Sequence, residues 1–174
     1  MQFRTISLSA AALGAGSLFA SPVGAQTLTV SVQVPQLKVA EYHKPYTAVW
    51  LEKDGAVVAT LDVRYDVDNP KGEGTKWLAD LRTFWRKAGR SMKFPANGIT
   101  GPTRGPGAYK TAWPAGKGAL PKLAPGNYVL VVEAAREVGG REALRLPFAW
   151  SGSGSATANA QGASELGAVS LTLR

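Results

Sequence analysis

Tyr46-Thr47-Ala48-Val49-Trp50-Leu51-Glu52-Lys53-Asp54-Gly55-Ala56-Val57-Val58-Ala59-Thr60-Leu61-Asp62-Val63-Arg64-Tyr65 is the stretch that decides the fold. Two runs rich in β-branched and aromatic residues flank Asp54-Gly55, a strong two-residue turn signal. The stretch therefore predicts a β-hairpin, with strands at Tyr46–Lys53 and Ala56–Tyr65. Val57, Ala59, Leu61, Val63 and Tyr65 alternate with their neighbours, which places them on one shared face.

Upstream, Thr27 to Val34 alternates without error, with Leu28, Val30, Val32 and Val34 on one side. That is the pattern of a half-buried strand. Downstream, Asp66 to Thr75 is a polar loop. Its alternating carboxylates lack the spacing of a complete calcium loop, so a solvated turn is expected. A helix is predicted over Lys76–Ala88, with Thr75 as N-cap and Gly89 as the stop. Its apolar stripe is Trp77, Leu78, Leu81, Phe84, Trp85 and Ala88, read as core packing.

Gly98–Gly118 reads as mostly loop around a short segment at Tyr109–Trp113. Pro125-Gly126 turns the chain into a strand at Asn127–Ala135, and Gly139-Gly140 leads to its partner at Glu142–Trp150. Ser151–Ser164 is small and polar, the composition of a flexible loop. Glu165–Arg174 closes the chain as a last strand. About six or seven strands with one inserted amphipathic helix make a mainly β chain, expected to be a β-sandwich.

Residues 1–25 carry the three parts of a secretory signal: Arg4 at a basic start, a short uncharged centre, and the small-residue site Val23-Gly24-Ala25. Cleavage after Ala25 would leave one domain, Gln26–Arg174, working outside the cytoplasm. The chain has no cysteine. That excludes disulfides, thiolate catalysis, cysteine-ligated zinc and iron–sulfur clusters. The formal charge of +8 favours anionic ligands, acidic proteins or a membrane surface. Nucleic acid is not expected, because no module for it is visible.

No motif of a known reaction is present, and no catalytic residue is assigned. His43, the only histidine, lies between Tyr42 and Tyr46 beside Lys44. Haem iron accepts His or Tyr, so these three are candidate ligand- or partner-binding residues, with His43 the metal ligand if haem is bound. A histidine that only hydrogen-bonds at a strand entrance is the alternative. Arg82, Arg86 and Arg90 recur every fourth residue, along one edge of the predicted helix. Arg82 and Arg86 are candidates to meet carboxylate or phosphate oxygens. Glu133, Arg136, Glu137, Arg141 and Glu142 around the second hairpin suggest cross-strand ion pairs.

Four ordered segments carry a family resemblance: Tyr42 to Glu52, Trp77 to Arg82, Thr100 to Gly107 and Gly126 to Glu137. With them the chain resembles a family of predicted periplasmic bacterial proteins, domain of unknown function 2271. The later half is similar to the immunoglobulin-like domain of the flagellar hook-capping protein. Trp113, Gly116, Gly118 and Pro125-Gly126-Asn127-Tyr128 carry that second likeness, with Pro114 as a departure from its pattern. These resemblances imply an immunoglobulin-like sandwich in the periplasm. They also imply an accessory role beside a membrane-bound, iron-, haem- or flavin-linked redox system, with an envelope or inner-membrane protein as partner. A structural or assembly module that binds through its sandwich edges is the second reading.

Overall fold

The structure is a computed structural model that describes residues 26–174. The signal peptide expected over residues 1–25 lies outside the described residues. Nine strands run β1 (Thr27–Val34), β2 (Tyr46–Lys53), β3 (Ala56–Tyr65), β4 (Thr100–Pro102), β5 (Gly107–Pro114), β6 (Gly126–Ala135), β7 (Arg141–Trp150), β8 (Ala156–Gln161) and β9 (Ala168–Leu173). They form a four-stranded sheet, β5-β1-β9-β8, and a five-stranded sheet, β4-β3-β2-β6-β7. All neighbours are antiparallel except β3 and β4.

Leu28, Val30 and Leu171 of the first sheet share one buried cluster with Leu51, Leu130 and Leu146 of the second. The expected mainly β, two-sheet arrangement is therefore present, with the sheets packed over a common core. The other face of the five-stranded sheet is also covered. Ala48, Trp50, Val63 and Val131 pack there against Leu78, Leu81 and Phe84 of the inserted helical segment. This double burial explains why β2 and β6 are apolar on both faces. Among the described residues, no helix is long and apolar enough to cross a membrane.

The first hairpin is built as expected, with positive φ at both Asp54 (51°) and Gly55 (80°), the conformation that a tight two-residue hairpin turn needs. The shared face in β3 is not. Pairing with β2 skips a residue between Asp62 and Thr60, leaving Leu61 as the extra one. Such a bulge changes the phase of the pleat. Ala59 and Leu61 consequently face the core between the sheets, whereas Val63 and Tyr65 face the helical segment.

Three further expectations are corrected. The helix expected over Lys76–Ala88 is a 3-10 helix at Glu73–Asp80 followed by a six-residue α-helix, α1, at Arg82–Lys87, with no side-chain cap from Thr75. The 3-10 geometry brings every third residue into line. Leu78 of the 3-10 helix, Leu81 at the junction and Phe84 of α1 are buried, while Trp77 turns outward and is 48% exposed. The short segment expected at Tyr109–Trp113 is the centre of an eight-residue strand, β5, because the whole of Gly107–Pro114 pairs with β1. The Ser151–Ser164 tract contains β8, paired with β9 along six residues. Ala156, Ala158 and Ala160 pack on the core there, and methyl groups alternating with polar residues give too weak a hydrophobic signal to read.

The second hairpin turns through Val138, whose φ is 51° and whose side chain is 90% exposed. A β-branched residue in that region is strained and gains nothing from burial. Val138→Asn is expected to raise stability by about 1 kcal/mol in urea titration; an unchanged or lower midpoint would show that the turn is not strained.

Candidate functional site

Tyr42 and His43 lie in the connection before β2, and Tyr46 is the first residue of β2. They meet the Asp66–Glu73 loop, Trp77 and Glu137 around a cleft of ≈ 540 Å³. The structure thus brings Tyr42, His43 and Tyr46 to one place. Arg82 and Arg86 are elsewhere, lining a second hollow with Trp85 and Arg141.

The cleft wall is held by backbone geometry as much as by side chains. The Tyr46 hydroxyl donates to the Gly74 carbonyl at 3.0 Å. A Cβ on Gly74 would lie 1.8 Å from the Asp66 carbonyl oxygen, so this turn tolerates only glycine without moving. Asn69 organises the loop, accepting from the N–H groups of Lys71 (3.0 Å) and Glu73 (3.2 Å) and donating to Asp66 (3.0 Å). The loop is a turn closed on its own polar groups, as the sequence suggests.

Carboxylates dominate the chemistry around His43. Its Nε2 lies 3.1 Å from Glu41 and its Nδ1 3.6 Å from Glu137. Burial pushes the Tyr42 phenol above its ordinary 10.0, an effect that Arg136 partly opposes and Glu165 reinforces. Burial also raises Tyr46, opposed by a hydrogen bond with the Asp66 backbone and reinforced by the Asp66 and Glu137 charges. Both tyrosines are consequently held as neutral phenols. The Tyr42 hydroxyl is buried without a hydrogen-bond partner.

These residues do not fit haem. Both imidazole nitrogens already face carboxylates, the tyrosines resist ionisation, and the three carboxylates of Asp66, Glu73 and Glu137 outweigh the single Lys44 ammonium that could meet a propionate. The expectation of a haem-ligating His43 is not supported by this geometry. Exposed indole and carboxylates together suit a cationic or hydrogen-bonding group better.

Two buried glutamates escaped the sequence reading in their main role. Glu133, fully buried, accepts from the N–H groups of Thr83 (3.0 Å) and Phe84 (2.8 Å). It therefore caps α1 from a distant strand, replacing the local cap that is absent. It also pairs with Arg141 at 2.9 Å, the cross-strand bond the sequence suggests. Glu52, 1% exposed, accepts from Trp50 Nε1 (2.8 Å) and Arg145 (2.9 Å) and lies 3.1 Å from Lys87 Nζ. A single carboxylate inside an otherwise apolar run, as in Val131-Val132-Glu133-Ala134-Ala135, is the signal that could have exposed Glu133.

Burial alone would raise the Glu52 carboxyl, yet the donors from Arg145, Trp50 and Lys87 hold it below its ordinary 4.5. Burial acts the same way on Glu142, outweighed there by the N–H groups of Ala163, Leu166 and Ser164. Folded-state values below the unfolded ones give stability that is present above about pH 4.5 and lost as pH falls through the folded values. The melting temperature should stay level from neutral pH to about pH 5 and then drop, with a shallower acid limb in Glu52→Gln. An acid limb of the same slope in that variant would assign the loss to other groups.

The family model described as "Predicted periplasmic protein (DUF2271)" matches residues 27–168, a span that includes the cleft, Glu52 and Glu133. No curated protein and no solved structure matches the chain.

Proposed function

Because this chain belongs to the DUF2271 family of predicted periplasmic proteins, we propose that it is a non-catalytic accessory protein that binds a partner or ligand in the Tyr42–Tyr46 cleft. The convergence of Tyr42, His43, Tyr46, Trp77 and Glu137 on one hollow carries this reading. Trp77 adds weight, because a half-exposed indole on a packed segment costs hydration that a bound partner would recover. The cleft offers aromatic faces and carboxylates, which suit a basic or hydrogen-bonding group of an envelope protein. A membrane-bound redox protein is the partner class that the family resemblance implies.

A second reading has its own observation. β5 pairs with β1 on one side only, and its eight residues form an outer edge of the four-stranded sheet. An unpaired edge can receive a strand from another chain, as an assembly module of the hook-capping kind would use it. The two readings separate by variants in a purified complex with an envelope protein, followed by size exclusion. A complex lost in Trp77→Ala and His43→Ala but retained in Ala108→Lys/Ala112→Lys supports the cleft. The reverse pattern overturns it in favour of the edge.

A further inference from the structure

The hollow of ≈ 370 Å³ between α1 and β7 is lined by Arg82, Arg86, Arg141, Trp85 and Ala79. We infer that it is an oxyanion site that takes a phosphate group. It is separate from the Tyr42–Tyr46 cleft and does not depend on that reading.

Charge balance is the first support. Among the described residues, the ion pairs of this face are Arg141 with Glu133, Arg136 with Glu165, and Glu52 with Lys87 and Arg145. Among the described residues, Arg82 and Arg86 form no ion pair with a carboxylate. The hollow therefore presents three guanidinium groups against the one buried carboxylate of Glu133. An adjoining hollow of ≈ 410 Å³ shares Arg82 and Arg141, adds Arg136, and contains Asp80 as its carboxylate.

Preorganisation is the second support. Glu133 holds the Arg141 guanidinium directly and caps the helix backbone that carries Arg82 and Arg86, so one buried group positions the elements that bear all three arginines. Arg86 Nε also donates to the Arg82 carbonyl at 3.1 Å, which restrains its side chain along α1. The N–H groups of Thr83 and Phe84 are consumed by Glu133, so side chains must supply the donors to a ligand. Guanidinium forks match pairs of oxygens on a phosphate, and a dianion offsets the surplus charge better than one carboxylate. Trp85 forms the flank against which an organic substituent would lie.

The test is a titration with inorganic phosphate at constant ionic strength, reading tryptophan fluorescence and melting temperature. Wild type should respond saturably with a rise in melting temperature. Arg82→Gln/Arg86→Gln, with unchanged circular dichroism, should bind at least about tenfold more weakly. Trp85→Phe should lose the fluorescence change while keeping the thermal shift. Competition by glycerol phosphate would identify a soluble phosphomonoester as the source. Binding to phosphatidic acid vesicles that is lost in the double variant would identify a lipid headgroup. No response to any of these probes, an equal response in the double variant, or an equal response to chloride would overturn the site.

Discussion

Glu133→Ala is expected to destabilise the protein by about 3–5 kcal/mol, because it strands two backbone N–H donors at about 1–3 kcal/mol each and takes the counterion from the half-exposed Arg141. The carboxylate serves three donors at once: the N–H groups of Thr83 and Phe84 and the Arg141 guanidinium. Without it, the first turn of α1 loses its cap and Arg141 loses its counterion. Domains of this size are held by about 5–15 kcal/mol, so the change removes a large share of the total. Urea titration should show a lower midpoint, and the phosphate response of the arginine hollow should weaken in the folded variant. Glu133→Gln keeps the shape and loses the charge, and should fall between the two. A Glu133→Ala midpoint within about 1 kcal/mol of wild type would show that α1 and Arg141 do not depend on this residue.

Trp50→Ala is expected to cost a similar amount, about 3–5 kcal/mol, for a different reason. Trp50 is fully buried beneath the helical segment, with its ring 5.7 Å from that of Phe84. Alanine there leaves a cavity between β2 and α1 and strips Glu52 of its 2.8 Å indole donor. Trp50→Phe separates the two effects, because it keeps most of the packing and loses only the hydrogen bond. That variant should cost about 1–2 kcal/mol. If both variants cost the same, packing is not what holds α1 on the sheet.

Much of the sheet architecture was legible because period-two alternation and Asp54-Gly55 turn chemistry are local signals. β1, the first hairpin with its turn and the strands of the second hairpin follow from them directly, whereas the second turn runs through Val138 rather than through Gly139-Gly140. The face of β3 was not legible, because the bulge at Leu61 depends on pairing with β2 rather than on any residue in β3 alone. The helix was misread for a related reason. Its break at Leu81 and its start at Arg82 are set by Glu133, 50 residues from the Thr83 it caps. β8 was hidden because alanine methyl groups pack well against a core but give little hydrophobic contrast.

At the site, Tyr42, His43 and Tyr46 were legible as a group because they are neighbours in sequence. The carboxylates that define their chemistry were not, since Asp66 and Glu73 come from the loop after β3 and Glu137 from the turn between β6 and β7. Helical spacing identified Arg82 and Arg86. Their partner Arg141 reaches the same hollow from β7, which only the register of the second hairpin could place.

The most direct measurement is photocrosslinking in cells that export the full chain, with a photoreactive residue at Trp77 in the cleft and, as control, at the exposed Val58 of β3. The expected result is one discrete envelope-protein adduct from position 77, weakened by His43→Ala, and none from position 58. The same adducts from both positions, or none from position 77, would contradict a binding role for the cleft.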